Sequence, residues 1–227
     1  MTGAESHMER PSAFALLLDF DGTMADTVAP LADIYTEFTR RIGADGAPSF
    51  AEANGADLRD LIQGLARRFA PQLDQHVLWG DYWNRVTDAV ITARPCDGLL
   101  PLLDWARERT WKVGIASSSR TVLIERWLRQ QKLDHYVDDI VGADRAPRSK
   151  PYPDIYIALL QRLGIAREDC IAIEDSASGV AAARAAQIAV IRIGGIEASA
   201  GGPDFIAADL VAAAEYVRRL QGRSADQ

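Results

Sequence analysis

Lysine is scarce in this chain. Lys112, Lys132 and Lys150 are the only three in 227 residues, and arginine carries the rest of the positive charge. Cysteine is scarcer still: Cys96 and Cys170 lie far apart and fit no metal-binding or redox spacing. Cys170 opens an apolar run and reads as a core residue, and a reducing, cytoplasmic setting is expected. No uninterrupted apolar run approaches the ~18 residues of a membrane-spanning helix. The N-terminus lacks the pattern of a signal peptide, and residues 1–8, ending in Ser6-His7-Met8, read as a cloning remnant. The formal net charge of −7 argues against nucleic acid or an anionic membrane as partner. It leaves room for a small anionic substrate, because local charge at a site can oppose the net charge.

What is present is an ordinary globular composition, long enough to bury a sizeable core. Short aliphatic runs at 14–18, 112–116, 137–141, 171–173 and 188–193 alternate with helical patterns, which predicts βα units and a parallel sheet. The third run contains Asp138 and Asp139 and is expected at a sheet edge. Residues 28–95 break the rhythm. Leu31, Ile34, Tyr35, Phe38 and Ile42 recur at helical spacing, as do Leu58, Leu61, Ile62, Leu65 and Phe69. Trp79, Tyr82, Trp83, Val86 and Val90 make a third stripe. Three such helices with no strand between them predict a helical insert, and their aromatic stripes are expected to be core. The turn-rich Arg94-Pro95-Cys96-Asp97-Gly98 returns the chain to the α/β part. There is no internal repeat, and the alanine-rich stretch 181–186 is good helix.

The first strand ends in Asp19-Phe20-Asp21-Gly22-Thr23. In open α/β sheets, ligands bind beyond the carboxyl ends of the strands. Carboxylates two apart in extended chain point the same way, and a pair so placed can serve a two-step phosphoryl transfer. One attacks phosphorus; the other protonates the leaving oxygen and later takes a proton from water. The bland alternative is an Asx-turn with solvated side chains. A calcium loop fits poorly, since Met24 and Pro30 stand where the loop needs glycine and glutamate. Three more strand ends carry polar groups. Ser117-Ser118-Ser119 suits a phosphate at a helix start, or simply caps that helix. Lys150 precedes Pro151 at another helix start and, taken alone, is an ordinary surface lysine. Glu174-Asp175-Ser176 follows an apolar strand and supplies either a helix cap or oxygen ligands for Mg²⁺. Four acidic groups cannot converge on an anionic substrate without a cation. A divalent metal together with Lys150 meets that need, which is the physical reason for reading the four segments as one site.

At these segments the sequence resembles the haloacid dehalogenase-like superfamily, in its phosphatase and phosphoglucomutase-like branch. Asp19-Phe20-Asp21-Gly22-Thr23 is similar to its first motif and Ser117 to its second. Lys150-Pro151 is similar to the third and Glu174-Asp175-Ser176 to the fourth, followed by Gly179 and an alanine-rich helix; the likeness runs from residue 14 to about 220. The resemblance implies an α/β fold: a Rossmann-like parallel sheet with helices on both faces, plus an inserted all-helical cap domain. The core is then 9–27 with 96–227, and the cap 28–95. It implies Asp19 as nucleophile and metal ligand, and Asp21 as general acid/base whose carbonyl binds Mg²⁺. Ser117 and Lys150 would hold the phosphoryl group, with Ser118 beside them, and Asp175 and Glu174 would hold Mg²⁺ directly and through water. It also implies a small phosphorylated metabolite as substrate and a monomer or homodimer. Met24, Thr27 and Cys96-Asp97-Gly98 depart from the usual pattern without removing a catalytic atom.

Within that branch, Asp21 argues against a dehalogenase, which lacks the second acid. The absence of lysine between Gly22 and Lys112 argues against phosphonate hydrolysis through a Schiff base. A phosphosugar mutase shares the core residues. Its usual cap arginine follows the glycine by three, whereas Arg59 follows Gly55 by four. Arg59 and Asn54 are the cap's candidate substrate-binding residues. A non-catalytic metabolite-binding protein would be expected to have lost Asp19, Asp21 or Asp175, and all three are present. Phosphoglycolate, sugar phosphates and nucleotide monophosphates all remain open as substrates.

Overall fold

The computed structural model describes residues 14–53, 58–194 and 202–224. The chain enters at β1 (Ala15–Leu18) and then runs through the insert: α1 (Val28–Arg41), the short α2 (Phe50–Ala53), α3 (Leu58–Phe69) and α4 (Gln75–Thr92). Asp74 starts α4 by accepting hydrogen bonds from the backbone N–H of His76 and Val77. The chain then alternates: α5 (Leu99–Glu108), β2 (Lys112–Ala116), α6 (Thr121–Gln131), β3 (Asp139–Val141), α7 (Asp154–Leu163) and β4 (Cys170–Glu174). It ends with α8 (Ala177–Ala185), β5 (Ala189–Ile193), β6 (Phe205–Ala207) and α9 (Leu210–Ser224).

The strands form one parallel sheet in the order β3-β2-β1-β4-β5-β6. β1 lies in the interior, and each of its residues is fully buried, as an unbroken aliphatic run requires. Its side chains alternate between two apolar layers. Leu16 and Leu18 join the layer that includes residues of α5, α6 and α9, while Ala15 and Leu17 join the layer built with α7 and α8. Helices therefore cover both faces. β3 lies at an edge, as its two aspartates predict, and is shorter than the run that signalled it. β6 was not expected from sequence: three residues carry too little periodicity to be read as a strand. It is held by Phe205 stacked on Tyr216 of α9 and by Asp204, which accepts from Val190 N–H at 2.9 Å.

Among the described residues the insert contains no strand. Its apolar stripes do not close on themselves: the layer holding Leu18 and Phe20 continues into Phe38, Tyr82 and Val86. Trp127 of α6, completely buried, makes the tightest link at the insert's exit. Its Nε1–H donates to the Ala93 carbonyl at 2.8 Å, and its ring stands edge-on to Phe20 with centroids 5.2 Å apart. Trp127→Phe keeps the ring contact but removes the donor. Urea denaturation is expected to show a loss of about 1–3 kcal/mol, reduced where Gln131, which also donates to Ala93, compensates.

Candidate active site

The sheet register sets the site. Leu18 pairs with Ile115 of β2 on one side and Ile173 of β4 on the other, so these three strands end level. Asp19, Ser117 and Glu174 leave the sheet at one place. Asp19 N–H still donates to the Ile173 carbonyl at 3.0 Å, which fixes its backbone as the ladder ends. Gly22 then turns the chain away with φ of 79°, a left-handed conformation that favours glycine. A Cβ there would lie 2.2 Å from an Asp175 carboxylate oxygen, so the turn and Asp175 share the space only because residue 22 has no side chain.

Lys150 is buried, not a surface lysine. Its Nζ lies 2.6 Å from Asp19 Oδ1 and 2.5 Å from Glu174 Oε1. The peptide bond from Lys150 to Pro151 is cis. Glu174 Oε1 also accepts from the Tyr156 hydroxyl of α7 at 2.6 Å. Glu174 Oε2 is buried with no partner among the described residues, and a Cβ on Gly179 would lie 1.8 Å from it. Asp21 accepts from Ser119 Oγ at 2.6 Å and from Thr27 Oγ1 at 2.7 Å. Ser117 is completely buried and its Oγ accepts from Ser119 N–H at 2.9 Å. It does not cap α6, whose N-cap is Arg120. The cap of α8 is Ser176, which accepts from Gly179 N–H at 3.0 Å, leaving Asp175 free of that role.

Among the described residues charge is unbalanced here: four carboxylates face one ammonium. Burial alone would lower the Lys150 pKa, but Asp19 and Glu174 hold it above the ordinary lysine value. Burial raises Glu174 to about 8 against the pull of Lys150, and burial with the Asp19 charge raises Asp175 to about 7. Burial and Asp19 also raise Asp21, opposed by the hydrogen bonds from Ser119 and Thr27. These acids resist ionising together unless positive charge is added. Asp19, Glu174 and Asp175 each offer an oxygen within 4.8 Å of the others. An all-oxygen set with an orphaned buried acceptor fits a hard divalent cation such as Mg²⁺. Asp21 is not in that cluster by its side chain.

Of the sequence candidates, Asp19, Lys150 and Glu174 are joined by direct contacts, Asp175 meets Asp19 and Glu174 in the acidic cluster, and Asp21 and Ser117 are linked through Ser119. Ser118 lies slightly apart, its hydroxyl 3.0 Å from that of Ser149. It lines a cavity of about 320 Å³ between the insert and the ends of the strands, shared with Ser119 and Ser149. Arg59 lines the same cavity, its guanidinium 5.7 Å from the Trp79 ring centroid. Asn54 lies outside the described residues. One expectation holds only in part: Trp79 and Trp83 pack against the core but are half-buried and also line this cavity, because Tyr82, between them in sequence, takes the buried face of α4. Ser119, Thr27 and Tyr156 went unassigned in the sequence. Ser119 had a signal, two residues beyond Ser117, whereas Tyr156 depends on the packing of α7.

Residues 16–193 match the haloacid dehalogenase-like hydrolase family. The chain is 30% identical over 177 residues to a fructose-1-phosphate phosphatase of Escherichia coli (strain K12), covering 75% of this chain and 91% of that one. It is 29% identical over 187 residues to a phosphorylated carbohydrates phosphatase of Thermotoga maritima, covering 77% and 82%. A solved structure of β-phosphoglucomutase from Clostridium difficile superposes with a TM-score of 0.77 at 18% identity, over 95% of this chain and 100% of that one. CbbY from Rhodobacter sphaeroides, solved in complex with phosphate, gives 0.73 at 22%, over 88% and 95%. The two structures show a shared fold. A parallel α/β sheet with an acidic site at its strand ends is the class this molecule falls into. The chain belongs to the haloacid dehalogenase-like hydrolase family.

Proposed function

We propose that this chain is a Mg²⁺-dependent phosphatase that hydrolyses a small phosphorylated metabolite through an aspartyl phosphate on Asp19. The observation that carries this is the convergence of Lys150 with Asp19 and the acidic pair Glu174-Asp175, which stand at the level ends of β1 and β4. Asp19 attacks phosphorus while Asp21, held by Ser119 and Thr27, delivers its proton to the departing oxygen. The alcohol leaves and Asp19 carries the phosphoryl group. Asp21, now ionised, takes a proton from water as that water attacks phosphorus; inorganic phosphate leaves and both carboxyl groups return to their starting states. Ser117 and Lys150 hold the phosphoryl oxygens. Mg²⁺ held by Asp19, Asp175, the Asp21 carbonyl and, through water, Glu174 would supply the positive charge that lets these acids and a phosphate share one site.

In this reading residues 28–95 are a cap over a core of 9–27 and 96–227, and closure excludes bulk water and completes the site, leaving room for the one water that Asp21 activates. The chain acts in the cytoplasm as a monomer or homodimer, on a metabolite and not on nucleic acid or a membrane. No helix among the described residues is long and apolar enough to cross a membrane. The test is phosphate release from a panel of phosphometabolites with Mg²⁺ and with EDTA. Release that needs the metal is expected; release undiminished by EDTA would refute it. No release at all would turn attention to phosphoryl transfer between sugar hydroxyls. Mg²⁺ should also raise the melting temperature, and by more as pH rises through about 7 to 8, because protons on Asp175 and Glu174 compete with the ion at lower pH. An increment independent of pH would remove these two carboxylates from the metal site.

A further inference from the structure

The leaving group of a phosphate ester must extend from Asp21, its proton donor, and the space it would enter is the cavity that begins at Ser119. Its chemistry can be read from the walls. The larger part of the lining surface is apolar, with Leu31, Trp79, Trp83, Val86, Val90 and Leu123 among its residues. Trp79 and Trp83 stack on each other, with centroids 5.6 Å apart and planes 21° from each other, and together form an aromatic wall of the cavity. The floor is polar, and each of its hydroxyls makes a bond within the protein. Ser119 donates to Asp21, Ser118 and Ser149 bond to each other, and Asp144 Oδ1 accepts from both the N–H and the hydroxyl of Thr121. Two guanidinium groups remain at the margins, Arg59 beside Trp79 and Arg120 at the start of α6.

A compact polyol can meet the polar floor and the arginines with some of its hydroxyl groups, but those turned to the apolar wall lose their water without a partner, which is unfavourable. A flat apolar body gains from the tryptophan face and asks for nothing more. We propose that this cavity binds the leaving group and takes a flat apolar or aromatic body, neutral or negatively charged, in preference to a sugar. The arginines disfavour a cationic body. The volume of about 320 Å³ lies within the usual range of small-ligand pockets. The assignment rests on the phosphatase reading for the bond that is broken, whereas the shape and chemistry of the cavity do not depend on turnover.

Two experiments separate them. The first is calorimetric titration with 1-naphthylmethylphosphonate and methylphosphonate in Mg²⁺, neither of which the enzyme can hydrolyse at a P–O ester. The naphthyl compound is expected to bind about tenfold tighter or more, and Trp79→Ala/Trp83→Ala to abolish that advantage while methylphosphonate binds as before. The second compares 1-naphthylmethyl phosphate with fructose 1-phosphate, both esters of primary alcohols. The naphthyl ester should have the lower KM, and the double variant should raise that KM about tenfold, by a larger factor than it raises the KM for fructose 1-phosphate. Equal binding of the two phosphonates, or a lower KM for fructose 1-phosphate, would overturn the assignment even with the phosphatase established. Selective naphthyl binding without phosphate release from either ester would uphold the cavity and sink the phosphatase. Should the double variant not fold, Trp83→Leu serves: it keeps apolar bulk but loses the flat face, and undiminished naphthyl selectivity in it would refute the tryptophan wall.

Discussion

Asp19→Asn is expected to lower the rate of metal-dependent phosphate release by about 10⁴-fold or more, with an unchanged circular dichroism spectrum. The substitution is nearly isosteric. The amide oxygen can still accept from Lys150 Nζ, now at 2.6 Å, and the backbone N–H still donates to Ile173. What disappears is a carboxylate oxygen able to form an acyl phosphate. Stability should hold or rise, because Asp19 is one of the charges that push Asp21 and Asp175 upward. Steady-state release and thermal unfolding on the same sample check both halves. Residual activity above about a hundredth of wild type would assign the nucleophile elsewhere. A misfolded variant would instead show Asp19 as structural.

Lys150→Met should have the largest effect on the fold. Among the described residues the ammonium is the one cation within contact of Asp19 and Glu174, and all three are buried. Its removal leaves two buried carboxylates facing each other, which typically costs about 3–5 kcal/mol. Adding Glu174→Gln to the variant removes one of the uncompensated charges and should recover part of the loss in urea denaturation. The pH dependence has a definite sign. The folded-state pKa of Glu174, about 8, lies above the ordinary 4.5, so folding favours its protonated form. That contribution is present in acid and is lost as pH rises toward 8. Without Lys150 the carboxylates resist ionisation more strongly, so the variant's deficit should be smaller at pH 5 than at pH 8. A deficit that is flat with pH, or below about 1 kcal/mol, would mean that the carboxylates are solvated after all.

Much of the site was legible because its residues stand at strand ends. An aliphatic run that stops at a carboxylate, a hydroxyl or an acidic pair marks the place where a buried strand meets the surface, and Asp19, Ser117 and Glu174 were found this way. Lys150 was harder. Nothing local separates it from a surface lysine, and only the mutual repulsion of four carboxylates called for a buried cation. Tyr156 carried no signal, since its hydroxyl reaches Glu174 through the packing of α7 against the sheet. The tryptophans of α4 were legible only in part: they pack against the core and also line the cavity. Periodicity identified the helix and its stripe, but a stripe wider than the contact it makes leaves its margins elsewhere, and here Trp79 and Trp83 turned to the cavity while Tyr82 took the core.

By itself, the amino-acid sequence determined the alternation of strands and helices, the interruption by a helical insert and the set of polar groups at four strand ends. These follow from local patterns of period two and 3.6 and from where those patterns stop. Only the tertiary structure decided the rest. The order of the strands brings β2 and β4 to either side of β1, so that groups 98 and 155 positions from Asp19 in the chain stand beside it. It also decided that β6 exists, that Glu174 is shared between Lys150 and Tyr156, and that the insert offers the cavity an aromatic wall. Such facts depend on which distant surfaces are in contact, and contact between segments far apart in sequence leaves no period for a local pattern to show.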